Sequence, residues 1–368
     1  MFQPIKEQII KGAVRDIRIS APTIHTDNEA RKRSGHIGHA LAEFEEGKII
    51  AFNANTSSKR FAGHSALGWV EYRISEDYGK TFGEIYDFPF SKQAFLDGNF
   101  TVSVEKAVSF KDGSVIAFCL INSQYREACC EPWSKPMYVK STDGGKTWGE
   151  AKEFSNYKGR IYDAVCYNNS IYVLEFCNDA EVFFTGNKPE HLYRIFKSDD
   201  NGETFYEHSV VPFDDTTGRA YGTMIFTPEG KLMVYAYDIN DEAHMDCIVS
   251  NDCGKTWEKS QKLFLAEKIR NPQINILDGQ YILHGRRNAD YGFVIYTSKD
   301  GIHWDKGCVL DDKLVSCYYS NNLVISDPEN PGKEKMLIQF SQNYTYPQNN
   351  EIEWYAMVNP MHMWVKSV

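Results

Sequence analysis

The sequence predicts an all-β fold, a six-bladed β-propeller of four-stranded antiparallel blades, and three observations carry that expectation. One phrase is written five times: "SEDYGKTFGE" from Ser75, "STDGGKTWGE" from Ser141, "SDDNGETFYE" from Ser198, "SNDCGKTWEK" from Ser250 and a shortened "SKDGIHW" from Ser298. The copies step by 66, 57, 52 and 48 residues, a period near that of propeller blades. A pair of apolar segments broken by a turn signal lies ahead of each copy, and a sixth such pair follows the last.

Taken in order, the pairs are "GHIGHALAEFEEGKIIAF" (35–52), "EKAVSFKDGSVIAF" (105–118), "GRIYDAVCYNNSIYVL" (159–174), "GRAYGTMIFTPEGKLMVYAY" (218–237), "NPQINILDGQYILHGRR" (271–287) and "YYSNNLVISDPENPGKEKMLIQF" (318–340). β-Branched and aromatic residues dominate them, and "EG", "DG", "NN" and "PG" mark the bends. In the repeated phrase, Ser-x-Asp-x-Gly-x-Thr-aromatic, the Ser and Asp side chains can bond backbone N–H groups at a bend and Gly supplies positive φ. The aromatic then folds back onto its blade. The phrase thus joins the third and fourth strands of each unit. The last unit ends in "EIEWYAMVNPMHMWV" (351–365), and "RDIRISAPTI" (15–24) is free to complete a blade and lock the ring. Residues 1–368 are read as one domain, with no linker between units.

A formal charge of −10, from 40 basic and 50 acidic residues, provides no global field for nucleic acid or an anionic membrane. No stretch approaches the length of a transmembrane helix, and the first residues lack the apolar run of a signal peptide. Nine cysteines without metal-type pairs fit free thiols and a cytoplasmic location. The ten histidines show no HxH or HExxH spacing, so neither a metal nor another cofactor is expected.

The repeated phrase resembles the Asp box of sialidases and related propellers, over nearly the whole chain. That resemblance implies a hydrolase cleaving a glycosidic bond to an acidic sugar, with an acidic oligosaccharide as partner. Counting back from Gly47, the Arg-Ile-Pro motif of sialidases falls on His36, Ile37 and Gly38, and counting back from Ser75 their acid/base Asp falls on His64. Their nucleophilic Tyr matches Tyr319, in "YYSNN". The Glu that activates this Tyr has no counterpart in blade 4, which opens "GRAY".

Strand starts point at the propeller axis, and three successive ones carry Arg160, Arg219 and Arg270, with Arg286 and Arg287 one hairpin later. Converging guanidinium groups suit a carboxylate. Period-two alternation puts Tyr162 and Tyr221 on the same face as Arg160 and Arg219. The expected catalytic residues are therefore His64, His36 and Tyr319, and the expected substrate-binding residues Arg160, Arg219, Arg270, Arg287, Tyr162 and Tyr221. His39 and Glu175 are weaker candidates. A polysaccharide lyase with a His/Tyr/Arg centre and a non-catalytic glycan-binding propeller are the alternatives.

Overall fold

The computed structural model describes residues 5–35, 38–57, 68–98, 100–110, 112–123, 134–178, 188–213, 218–287, 292–311, 319–344 and 357–368. They form a six-bladed β-propeller of antiparallel blades. Blade 1 runs outward through Leu41–Glu45, Lys48–Ser57, Gly68–Ser75 and Tyr86–Asp87. Blade 2 is built of Phe100–Ser109, Val115–Ser123, Met137–Ser141 and Lys152–Glu153, and blade 3 of Gly159–Tyr167, Ser170–Cys177, Leu192–Ser198 and Tyr206–Val211. Blade 4 comprises Arg219–Phe226, Leu232–Asp238, His244–Ser250 and Gln261–Phe264; blade 5 comprises Arg270–Leu277, Gln280–Arg286, Phe293–Ser298 and Cys308–Asp311.

Blade 6 takes Ser320–Ser326, Glu334–Asn343 and Val358–Ser367 from the end of the chain and Ile17–Ile19 from its beginning, with Ile17 opposite Ser367. The N-terminal segment thus completes the last blade as expected. Each of the six innermost strands packs on the next, and that of blade 6 on that of blade 1, so the ring is closed and its edges are short. Two short helices, Asn28–Arg31 and Pro89–Leu96, stand outside the strand pattern.

The Ser-x-Asp turns explain the repetition. In the second, Ser141 Oγ donates to Asp143 Oδ1 at 2.8 Å and accepts from Gly145 N at 2.8 Å, while Asp143 accepts from Thr147 N at 2.8 Å and Thr147 Oγ1 at 2.6 Å. The turns at Ser75, Ser198 and Ser250 repeat these bonds. In the fifth, His303 replaces the Thr and its Nδ1 lies 2.7 Å from Asp300 Oδ2. The Gly closes the turn at positive φ, and at Gly202 a Cβ would stand 2.0 Å from Ile116 Cδ1 of the preceding blade.

The aromatic that ends the phrase crosses to the preceding blade instead of folding back on its own. Trp148 of blade 2 packs edge-on against Phe52 and Phe88 at 5.8 and 5.0 Å, and Phe205 of blade 3 against Phe118 and Tyr138 at 5.8 and 5.0 Å. Each phrase therefore closes one hairpin and staples two blades. Asp143→Ala and Asp200→Ala are expected to cost about 1–3 kcal/mol each in denaturant unfolding, since turn N–H and O–H groups lose their acceptor. Turnover of the folded fraction should not change.

Candidate active site

Irregularity at the start of the inner strands builds the site. In blades 2 to 5 the register between first and second strands slips once, between Phe118 and Cys119, Ile161 and Asp163, Ala220 and Gly222, and Arg270 and Gln273. The residues left without a partner across the ladder are Glu105, Tyr162, Tyr221, and Asn271 with Pro272. A bulge re-aims the side chain it carries. Glu105, Tyr162, Tyr221 and Asn271 all line one cavity on the axis, with His39, Arg160, Gln273 and Tyr319. Its volume is about 40 Å³, room for a small polar group such as a carboxylate but not for a sugar ring.

Arg160 crosses this cavity. Its Nη2 pairs with Glu105 Oε2 at 2.7 Å, its Nη1 donates to the Tyr221 hydroxyl at 2.5 Å, and its Cζ lies 4.5 Å from the centre of the Tyr221 ring. Tyr162 stacks beside Tyr221 at 4.9 Å. Tyr319, just ahead of the inner strand of blade 6, is fixed by an N–H bond to Ser341 Oγ at 3.2 Å. Its hydroxyl accepts from Arg286 Nη2 at 3.3 Å, and its ring stands 6.4 Å from that of Tyr221.

The arginines divide. Arg270 donates to the Tyr237 hydroxyl at 3.1 Å and lies 3.5 Å from Glu242. Arg286 donates to Asn271 Oδ1 at 2.6 Å and, unlike Arg160, Arg219, Arg270 and Arg287, has no carboxylate partner among the described residues. Arg219 points away: its guanidinium contacts Asp246 and lies 3.7 Å from Asp238, in the third and second strands of blade 4. Arg287 pairs with Glu267 at 3.1 Å, also away from the cavity. Arg219 and Tyr221 therefore do not meet at one site although the equivalent Arg160 and Tyr162 do, with the same bulge between them; what differs is the ion partner, Glu105 of the preceding blade for Arg160 and Asp246 of its own blade for Arg219.

His36 and His64 lie outside the described residues. His39 is buried and lines the cavity; Gln339 Nε2 can only donate, so His39 Nδ1 accepts from it, at 3.4 Å. Behind it, His362 hydrogen-bonds Gln339 Oε1 at 2.8 Å and stacks on His25 at 4.2 Å. Glu175 is buried in the second strand of blade 3, away from the cavity lining, and burial pushes its carboxyl up to about 8 against weaker opposing contributions from Ser155 and Cys177.

Sequence reasoning passed over Glu105, Lys106 and Asp163. Lys106 Nζ pairs with Asp163 Oδ1 at 3.0 Å and also contacts Gln273, closing the cavity floor over a second axial cavity of about 300 Å³. Asp163 is held by Thr223 Oγ1 at 2.7 Å and Met224 N at 2.8 Å. Their signal was present as charges inside apolar inner strands, "EKAV" and "YDAV". Among the described residues no group of three or more His, Cys, Asp and Glu is placed to hold a metal ion, and no helix is long and apolar enough to cross a membrane.

No protein-family model matches the chain, and no curated protein matches it. Solved structures do. The Hadza microbial sialidase Hz136 superposes with a TM-score of 0.69 at 13% identity, over 94% of this chain and 68% of that one. The fold is sialidase-like. This sialidase-like propeller also matches the Ruminococcus gnavus intramolecular trans-sialidase in complex with oseltamivir carboxylate, with a TM-score of 0.63 at 11% identity over 93% and 96% of the two chains. A protein of unknown function from Dyadobacter fermentans matches at 0.68 and 16%, over 96% and 99%.

Proposed function

We propose that the chain is a glycosidase that cleaves the bond to an acidic sugar of the sialic or uronic acid type. The observation that carries this reading is Arg286: a buried guanidinium with no carboxylate partner among the described residues, bonded to Asn271 and Tyr319, two residues that line a cavity sized for a carboxylate. An uncompensated buried cation is costly until an anion arrives. Tyr162 and Tyr221 line the same cavity, and Arg270 is paired with Glu242. Tyr319 acts as nucleophile or stabiliser of the charge developing at the anomeric carbon. A proton must reach the leaving oxygen; the sialidase resemblance assigns that task to His64, with His36 beside the sugar.

The superposed sialidases and the axial cavity support this reading over a purely structural propeller. A lyase acting on a uronate is the second reading, favoured by the two arginine-held phenols, which suit carboxylate neutralisation and protonation of a leaving oxygen. The six described cysteines are free thiols, which fits a cytoplasmic enzyme. Incubation with sialosides and uronic-acid polymers, read by reducing-sugar release and by absorbance of the unsaturated uronate, tests the assignment. Reducing ends without absorbance are expected. Both signals together would replace the glycosidase by a lyase, and neither would leave glycan binding.

A further inference from the structure

Two tyrosines face each other over the axial cavity, each held by an arginine from the preceding blade, yet the two pairs are electrostatically different. Arg286 beside Tyr319 keeps its charge available, whereas Arg160 beside Tyr221 is neutralised by Glu105, itself held by Ser103 Oγ at 2.9 Å. A compensated guanidinium is a poor receptor for a substrate anion. It remains a strong donor to a hydroxyl. Guanidinium has no acceptor atom, so in the 2.5 Å contact the Tyr221 oxygen accepts and its own proton is directed elsewhere than Arg160. The cation at the oxygen and over the ring stabilises the phenolate that proton loss would leave. The bulge in blade 4 brings this hydroxyl to the cavity.

We propose that Tyr221, and not His64, delivers the proton to the leaving oxygen, with Arg160 and Glu105 as its positioning residues; the proposal rests on the glycosidase reading above. The bond between the anomeric carbon and the bridging oxygen breaks, its electron pair passes to that oxygen, and the oxygen takes the Tyr221 proton. The phenolate, held by Arg160, then recovers a proton from the water that attacks the anomeric carbon. One glycosidic bond and one water are consumed, and Tyr221 is regenerated. In a sialoside the carboxylate and the bridging oxygen share one carbon, so an acid group seated toward Arg286 puts the bridging oxygen beside the cavity that Tyr221 lines.

The test compares leaving groups. Wild type, Tyr221→Phe and His64→Ala are assayed on sialyllactose and 4-nitrophenyl sialoside, and on a glucuronic-acid disaccharide and 4-nitrophenyl glucuronide. A nitrophenolate leaves without a proton, so Tyr221→Phe should lose about 10²–10⁴-fold on the oligosaccharide and less than about 5-fold on the aryl glycoside of the same sugar. Glu105→Gln should move the alkaline limb of the pH–rate profile to lower pH, because Arg160 then favours the phenolate with its full charge; a merely structural role would scale the rate without moving the limb. Equal losses on both leaving groups, or the leaving-group pattern in His64→Ala and not in Tyr221→Phe, would overturn the proposal and leave the glycosidase standing. A wild type inert on all four substrates would overturn both.

Discussion

Between pH 7 and pH 5 the protein is expected to lose about 3 kcal/mol of stability, with a fall in melting temperature of about 5 °C. His284 and His362 are fully enclosed and pushed down to about 3, by burial first and then by Lys106 for His284 and by Arg73 and His39 for His362. His25 is held well below its ordinary 6.5 by burial, then by His362 and Arg73. A base whose folded value is depressed stays neutral in the fold while the unfolded chain takes up a proton. Stability is therefore lost as pH falls below 6.5 and continues to be lost down to about 3. Glu175 opposes this: neutral in the fold up to about 8 and ionised in the unfolded chain above about 4.5, it gains stability as pH falls through the same window. Three histidines against one carboxyl leave a net uptake of about two protons on unfolding, on the order of 3 kcal/mol per pH unit at full slope.

A second stage begins lower. Asp143, Asp200 and Asp252 are held down to about 2, chiefly by their bonds from Thr147, Thr204 and Thr256, so their contribution is present above the ordinary 3.8 and disappears below it. Thermal melts at closely spaced pH values check both stages. His284→Gln should remove about one proton from the upper slope; an unchanged slope would mean that His284 is not neutral in the fold.

The same residues show how much of the molecule was legible beforehand. The propeller could be read because the Ser-x-Asp turn is local chemistry: Ser141, Asp143, Gly145 and Thr147 bond one another within seven residues, so the sequence must spell the turn out each time. What the turn's aromatic touches is not local, and Trp148 and Phe205 cross to the neighbouring blade without leaving a pattern that alternation could reveal. The site is less legible still. Its side chains are aimed by bulges, which alternation cannot anticipate, and Arg160 meets Glu105 across 55 residues. Arg219 and Arg160 occupy equivalent places in their repeats, yet one faces the third strand of its own blade and the other the axis. Tyr319 was found through resemblance and does line the cavity, while Arg286, on a second strand, had no repeat position to mark it.

Arg286→Gln should cost about 10²–10³-fold in kcat/KM on an acidic sugar, the 2.7–4 kcal/mol expected when a buried charge-assisted pair loses one partner. Its effect on a neutral or methyl-ester analogue should be slight, so the preference for the acid collapses. Arg286→Lys should recover only part of the loss, because lysine keeps the charge and forfeits the planar fork that now spans Asn271 Oδ1 and the Tyr319 hydroxyl. Arg219→Lys is the contrast: its guanidinium is engaged by Asp246 and Asp238 away from the cavity, so it should alter stability and leave the acid-to-neutral ratio near wild type. The measurement is that ratio across the four proteins. Should Arg219→Lys shift it and Arg286→Gln leave it untouched, the carboxylate is received at blade 4 and not beside Tyr319. Should no variant shift it, the ligand carries no acid group, and the buried charge of Arg286 serves only to hold Asn271 and Tyr319 in place.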